Sequence, residues 1–344
     1  MSWKEHWKKI LKAAFCMLGF IYLFVLLVDP YDTIEISLPL DREPIVSNQR
    51  YSYPAIAQKS HHDSAIIGTS TIRLLNPSQL NPLFQSSFVN LAMNSPTAYE
   101  QLKIFELFRR THENIKYVIF GIDKTWCDAN ANPDKFTFRP FPPWLYDNSE
   151  FNDYLYLLSG RGLENSVRMI EYWLGKRKAK YSGDGYDVFV GDDGRYDLNK
   201  AINNIYGNNE QKSILEEKVR NNDFQIDRNA KYKFPVQEMY LSKMGNSLSD
   251  ETVKIFMFVP YHVKNYYSKI NIFEACKKEI VDLASSYRNS YVIDFMFPSG
   301  ITTEDSNYWD VLHYRIGIAD MLPRLIDKAM AGEIENLPVK LHYH

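Results

Sequence analysis

The chain has 344 residues, of which 45% are hydrophobic and 24% charged, and this ordinary globular usage excludes disordered, collagen-like and low-complexity classes. Its 40 basic and 42 acidic side chains give a formal net charge of -2, without the positive excess of a strongly basic nucleic-acid-binding protein. Three cysteines are too few for a disulfide-dense scaffold.

The N-terminal segment predicts a single membrane-spanning helix. Residues 1–12 carry four lysines and one glutamate, and residues 13–28 follow as a run without a charge. This run approaches the ~20 apolar residues that cross a bilayer. It ends in bulky residues where a signal peptidase needs small ones, which favours an uncleaved anchor over a signal peptide. Because basic residues precede the run and acidic ones follow it, we expect a single-pass inner-membrane protein with a cytoplasmic N-terminus and an extracytoplasmic domain.

Composition then divides the rest of the chain. The predicted order is a cytoplasmic N-terminus (1–12), a transmembrane anchor (13–29), a stalk (30–60), one α/β domain (61–332) and a tail (333–344). Residues 176–230 are polar and punctuated by glycines, so we expect them to form an insertion outside the core sheet.

Short apolar runs alternate with helical stretches within the predicted domain. The runs predict buried strands at 64–68, 88–91, 117–121, 254–259 and 291–295. The stretches predict helices at 97–109, 271–287 and 317–331. Alternation of this kind indicates an α/β domain around a parallel sheet.

Two segments at opposite ends of the domain carry residues suited to nucleophilic catalysis. Ser70 follows the first predicted strand, and sites in open parallel sheets form at the carboxyl ends of strands. Asp310 and His313 lie three residues apart before the last helix. A serine hydroxyl becomes a nucleophile when an imidazole takes its proton, and a carboxylate fixes the tautomer of that imidazole. Taken singly, each segment is also typical of a structural turn, but together they predict a Ser-His-Asp triad.

The two segments resemble the SGNH/GDSL hydrolase superfamily, whose first block ends in Gly-Asp-Ser or Gly-Thr-Ser and whose last block is Asp-x-x-His. They match Gly68-Thr69-Ser70 and Asp310 to His313. The sequence at 65–84 and 88–102 looks more closely like the membrane-anchored SGNH-like proteins of bacterial surface-polysaccharide loci. The resemblance covers about 64–326 and implies a flavodoxin-like SGNH fold, a three-layer sandwich with a central parallel sheet.

The resemblance also implies where the oxyanion hole lies. In the second block the backbone N–H of Ser95 and the side chain of Asn94 are the expected donors. The third block places Asp123 where the superfamily usually has asparagine, and an ionised aspartate cannot donate a hydrogen bond. We therefore expect Asp123 to orient the substrate or to support the structure.

Arg73 and His262 are further candidate substrate contacts. Arg73 follows Ser70 by less than one helical turn and could contact an anionic substrate, although a solvated arginine fits as well. His262 follows the fourth predicted strand and so belongs to the same edge of the sheet, although a loop-stabilising histidine is the alternative.

No motif predicts a metal or a cofactor. The adjacent His61 and His62 point apart on an extended chain, and the glycines of 183–194 lack the Gly-Lys-Ser/Thr ending of a phosphate loop. Cys127 and Cys276 could pair in an oxidising compartment.

These features predict an extracytoplasmic serine acyl-transfer enzyme. The resemblance implies an O-acetyltransferase or O-acetylesterase that acts on a cell-surface polysaccharide, together with a membrane partner that delivers acyl groups. The alternative is a catalytically inactive glycan-binding or assembly-scaffold protein on the same fold. A soluble secreted lipase is disfavoured by the anchor.

Overall fold

The chain divides into two compact units. The computed structural model describes residues 2–131, 136–191, 193–221, 226–227 and 231–344. The first unit comprises Met1–Ile56 and Pro140–Gly183, and the second comprises Ala57–Arg139 and Asp184–His344.

Helices and strands are numbered in chain order. The helices are α1 (Trp3–Val28), α2 (Gln49–Ala57), α3 (Pro77–Phe84), α4 (Ala98–Thr111), α5 (Glu150–Leu157), α6 (Gly160–Trp173), α7 (Leu198–Tyr206), α8 (Asn209–Arg220), α9 (Ser242–Asn246), α10 (Val263–Ser268), α11 (Ile270–Ala284) and α12 (Ile316–Met330). The strands are β1 (Ser64–Ile67), β2 (Phe88–Asn90), β3 (Tyr117–Ile122), β4 (Val253–Phe258), β5 (Ser290–Asp294) and β6 (Lys340–Tyr343).

Helix α1 of the first unit is long and apolar enough to cross a membrane. It begins with a capping box, in which Ser2 Oγ accepts a hydrogen bond from the backbone N–H of Glu5 and the Glu5 carboxylate accepts one from the N–H of Ser2. Most of its apolar surface is exposed, and the buried residues Val25, Leu26 and Val28 are confined to its last turn.

In the segment predicted as a stalk, aromatic and charged side chains of residues 30–56 have partners within the first unit. Tyr31 is buried, its hydroxyl accepts a hydrogen bond from the Asn165 amide of α6, and its ring packs edge-on against Trp144. Arg42 Nε donates to backbone carbonyls at the C-terminal end of α1. A positive group is stabilising there, because this end of the helix dipole is negative.

The second unit contains one sheet with strand order β2-β1-β3-β4-β5-β6. The five predicted strands are confirmed, and every observed strand end lies within one residue of the predicted end. These strands run parallel to one another. Residues 333–344 are not merely a tail, because β6 pairs antiparallel with β5 at the edge. There His342 Nε2 lies 2.9 Å from the buried carboxylate of Asp294. The chain is therefore α/β with a mostly parallel sheet.

The strand order creates a switch point beside β1, because β2 pairs on one side of it and β3 on the other. In open parallel sheets a crevice forms at such a point, beyond the carboxyl ends of the strands. Gly68 and Gly121 leave room for the side chain of Ile72 near this point. A Cβ at Gly68 would lie 2.6 Å from Ile72 Cγ2, and one at Gly121 would lie 2.9 Å from the same methyl group.

Cys127 and Cys276 form a disulfide, with 5.4 Å between their Cα atoms. The bond joins the segment after β3 to helix α11. Cys16, on the exposed surface of α1, is a free thiol.

The predicted insertion 176–230 does not behave as one element. The boundary between the two units falls after Gly183, so its first residues belong to the first unit. From Asp184 onward it belongs to the second unit. There, residues 184–191 and 193–197 contact the end of β2, the turn after β1 and the start of α12.

Candidate active site

Ser70 occupies a tight turn at the carboxyl end of β1. The backbone N–H of Ile72 donates to the carbonyl of Thr69, and the N–H of Arg73 donates to that of Ser70. The buried Asn90 side chain, at the end of β2, donates to the carbonyl of Arg73 at 3.0 Å and fastens the turn to the sheet. This role of Asn90 was missed, although a polar residue inside a buried apolar run is a recognisable signal.

Asp310 and His313 lie on a loop that is closed at its base. Tyr308 and Tyr314 form an isolated antiparallel bridge, and the N–H of Trp309 donates to the carbonyl of His313 at 2.9 Å. These backbone contacts hold the loop just before α12.

The three predicted catalytic side chains form a hydrogen-bond chain through His313. Ser70 Oγ lies 3.0 Å from His313 Nε2, and His313 Nδ1 lies 2.8 Å from Asp310 Oδ2. Because the carboxylate can only accept, Nδ1 carries the proton, and Nε2 of the neutral ring is free to accept from the serine hydroxyl. The arrangement is that of a nucleophile, a general base and an orienting acid.

The electrostatic surroundings keep Asp310 ionised. Burial alone would raise its pKa, but the hydrogen bond and charge of His313 lower it, as do the backbone N–H groups of Leu312 and His313. The net effect places the pKa of Asp310 below its usual 3.8. An ionised carboxylate at this position stabilises the imidazolium that forms during proton transfer.

Of the two roles expected for Asp123, its contacts are those of a structural carboxylate. It is 1% exposed, and its Oδ2 accepts hydrogen bonds from Thr69 Oγ1 at 2.5 Å and Thr71 Oγ1 at 3.2 Å. Its Oδ1 accepts from the N–H of Thr125 at 2.8 Å. Burial raises the pKa of this carboxyl, and these hydrogen bonds oppose the shift. Asp123 therefore holds the residues on both sides of Ser70.

In the second block, the Asn94 side-chain amide is held by a hydrogen bond and Ser95 has a positive φ angle. Asn94 Oδ1 accepts a hydrogen bond from Arg73 at 2.5 Å, which turns its Nδ2 donors away from the guanidinium. Ser95 has a φ of 46°, in the left-handed region that costs a non-glycine residue ~1 kcal/mol. Strained residues of this kind cluster at functional sites.

Arg73 is neither a solvated surface arginine nor an open anion receptor. It is 2% exposed and forms an ion pair with Asp187, with Nη2 and Oδ2 2.7 Å apart. Its guanidinium also lies over the Phe189 ring, 4.2 Å from the centroid.

A strap formed by residues 184–191 and 193–197 lies against the candidate triad. The Phe189 ring meets the His313 ring edge-on, with 5.7 Å between centroids. Sequence reasoning missed Phe189, because no local pattern links residue 189 to a histidine 124 positions later.

Two glycines let the strap lie close against neighbouring residues. A Cβ at Gly185 would lie 2.2 Å from the carbonyl oxygen of Asn90, and one at Gly191 would lie 2.6 Å from the Trp309 ring. Farther along, Asp193 forms an ion pair with Arg315 at 3.1 Å.

Of the two roles expected for His262, substrate contact or loop stabilisation, its contacts are those of the second. It has no exposed surface, its Nε2 lies 3.0 Å from Asp305 Oδ1, and its Nδ1 accepts from the N–H of Lys264. Its own N–H donates to the carbonyl of Val311, inside the Asp310–His313 loop. The loop-stabilising alternative fits this environment.

A cavity of about 500 Å³ is lined by residues that directly follow Ser95 and Asp123. Its lining includes Pro96, directly after Ser95, and Lys124, directly after Asp123. Tyr240 and Phe273 add aromatic surface to it. This volume lies in the usual range of small-molecule sites, ~300–1,000 Å³.

Comparisons with known proteins identify no family. No protein-family model and no curated protein matches the chain. Among solved structures, one described as "The structure of a putative platelet activating factor from Streptococcus pneumonia" aligns with a TM-score of 0.38 at 10% identity. The alignment covers 82% of this chain and 90% of that one. At this similarity, the description of the neighbour does not extend to the present chain.

Proposed function

We propose that the chain is a membrane-anchored serine acyl-transfer enzyme of the SGNH type, an O-acetyltransferase or O-acetylesterase that acts on a cell-surface polysaccharide. The observation that carries this proposal is the Ser70–His313–Asp310 hydrogen-bond chain, with separations of 3.0 and 2.8 Å. Its position at the switch point of the sheet supports the same conclusion. The polysaccharide substrate and the inner-membrane, extracytoplasmic location rest on the resemblance and on the charge pattern around α1.

In the proposed reaction, Ser70 Oγ attacks the acyl carbonyl carbon while its proton passes to His313 Nε2. The tetrahedral intermediate collapses, the alcohol leaves with that proton, and an acyl-serine remains. Water or a sugar hydroxyl then attacks the acyl-serine, again losing its proton to His313, and Ser70 regains its proton. We assign the oxyanion to the backbone N–H groups of Ser70 and Ser95 and to Asn94 Nδ2.

The cavity beside Ser95 and Asp123 is the proposed acceptor or leaving-group site. Its hydroxyl, lysine and aromatic lining suits a sugar, since flat rings stack on pyranose faces while polar groups bind hydroxyls. The disulfide between Cys127 and Cys276 supports an oxidising, extracytoplasmic compartment, because disulfides form and persist there. It also links Cys127, which lines this cavity, to α11.

One observation favours the second candidate, a non-catalytic glycan-binding scaffold. Asp123 stands where the superfamily usually has asparagine, and its oxygens are occupied by Thr69, Thr71 and Thr125, so it cannot serve as an oxyanion donor. A scaffold would keep the cavity and would form no acyl-serine.

The test uses the full-length chain purified in detergent, with p-nitrophenyl acetate as the substrate and a fluorophosphonate as the serine probe. We expect turnover and a single labelled serine. Ser70→Ala should abolish the label and lower turnover by ~10³-fold or more. Ser285→Ala, at an exposed serine beyond α11, is the matched control and should retain both signals. Full turnover by Ser70→Ala would refute the mechanism, and binding of acetylated glycan without labelling would favour the scaffold.

A further inference from the structure

The first unit places a second apolar surface beside the candidate membrane-spanning helix. Tyr22 in α1 donates its hydroxyl to the carbonyl of Tyr154 in α5 at 2.9 Å. Tyr22 lies six residues before Val28, the last residue of α1, which at 1.5 Å per residue is ~9 Å along the helix axis. Helix α5 therefore runs alongside the last turns of α1 and not beyond its end.

That depth matches the boundary between headgroups and acyl chains. If α1 spans the hydrocarbon region up to Val28, a contact ~9 Å below its end lies where interfacial helices bury their apolar faces, ~5–10 Å deep. A helix at this level meets lipid on every side that protein does not cover.

Helix α5 and its C-terminal cap present large apolar side chains to the outside. Phe151 is 79% exposed, Leu155 62% and Leu158 52%. Their spacing of four and then three residues puts them on one face of a helix. Exposed apolar surface of this kind is costly in water, and its position beside α1 indicates what covers it.

Helix α6, which also packs on α1, and the residues after it add further exposed apolar side chains and a basic cluster. Val167 and Leu174 are 49% and 64% exposed. The sequence after the helix places Lys176, Lys178 and Lys180 on the surface within five residues. Each lysine close to an anionic bilayer contributes ~1 kcal/mol of attraction.

We propose that the first unit lies in the membrane surface, with the apolar face of α5 and the exposed apolar residues of α6 entering the leaflet from which the C-terminal end of α1 emerges. The lysines of 176–180 contact anionic phospholipid headgroups in that leaflet. This inference rests on the anchor part of the proposed function and is independent of the acyl-transfer chemistry.

The test places an environment-sensitive fluorophore at single cysteines in the full-length chain, reconstituted in phosphatidylglycerol-containing vesicles. The background is Cys16→Ser, because Cys127 and Cys276 are already paired. Phe151→Cys and Leu155→Cys report on α5, and Leu23→Cys reports on α1. We expect all three sites to show blue-shifted emission and stronger quenching by lipid-borne nitroxide than by aqueous iodide, relative to the free dye.

The outcomes distinguish contact of α5 with the membrane surface from insertion of α1 in the membrane. If the Leu23 site is quenched by lipid while the α5 sites behave like the free dye, the surface proposal is overturned and the anchor stands. If the Leu23 site also behaves like the free dye, the anchor fails and the surface proposal fails with it. Lys176→Glu combined with Lys178→Glu should lower lipid quenching at residue 151 in anionic but not in zwitterionic vesicles, and an unchanged value would refute the headgroup contact.

Discussion

The ring of Phe189 meets the ring of His313 edge-on, 5.7 Å from centroid to centroid, so a residue of the strap borders the proposed general base. The same ring carries the guanidinium of Arg73 on its face. One aromatic side chain thus links the nucleophile turn to the histidine loop and limits the space beside them.

If the proposed acyl transfer occurs at Ser70, replacement of Phe189 should change which acyl group is accepted. Phe189→Ala opens room beside His313, so we expect the ratio of butyryl to acetyl ester turnover, measured as kcat/KM, to rise ~10-fold. Phe138→Ala is the matched control, because Phe138 is 87% exposed in the same unit. Equal selectivity in the two variants would show that Phe189 does not limit the acyl site.

Removal of the shortest hydrogen bond to Asp123 should destabilise the nucleophile turn. In Thr69→Val the buried carboxylate loses its 2.5 Å donor, and we expect the free energy of unfolding to fall by ~1–3 kcal/mol together with a lower kcat. Thr303→Val, at an exposed threonine, serves as the control. Thr69→Val combined with Asp123→Asn should cost less than the sum of the single changes, since no buried charge then lacks a donor, whereas additive costs would contradict the coupling.

Acid should weaken the structure that supports the His313 loop. Burial raises the pKa of Asp305, but hydrogen bonds from His262, Lys212 and Tyr206 outweigh it and lower the pKa to about 2. A carboxyl whose pKa is lower in the folded than in the unfolded chain stabilises the fold above the unfolded value, and this contribution is lost as the pH falls through the folded value.

We therefore expect the free energy of unfolding to decrease by about 2 kcal/mol from this group between pH 4 and pH 2. Urea titrations of Asp305→Asn should show a smaller decrease across that window than the wild type. Asp250→Asn removes a carboxylate that is 72% exposed and should leave the pH profile unchanged. Parallel profiles for Asp305→Asn and the wild type would contradict the assignment.

The disulfide should contribute strongly to stability because it closes a long loop. Cys127 and Cys276 are separated by 149 positions, and in the chain-entropy account such a cross-link is worth ~2–5 kcal/mol. We expect Cys127→Ala with Cys276→Ala to lower the thermal unfolding midpoint markedly, as should reduction of the wild type. Cys16→Ser should not change it, and equal midpoints in all variants would argue against the bond.

The α/β class was predictable from local pattern, because central strands such as β1 and β4 are buried on both faces and so appear as continuous apolar runs. The edge strand β6 was not predictable. Its residues 340–343 are alternately exposed and half-buried, and only pairing with β5 makes them a strand. The packing of segment 30–60 was not predictable for a related reason, since Asn165 and Trp144, two of the partners of Tyr31, lie more than 100 residues away.

For the candidate site, the sequence by itself determined which side chains could perform the chemistry, because Gly-Thr-Ser after a strand and Asp-x-x-His before a helix are short-range patterns. Only the tertiary structure decided which of the other candidates belong beside them. It buried Asp123 beneath Ser70, buried His262 against Asp305, and brought Phe189 to His313. Hydrogen bonds and ring contacts between residues 40 to more than 100 positions apart depend on the tertiary fold. Local periodicity in the sequence carries no information about such long-range contacts.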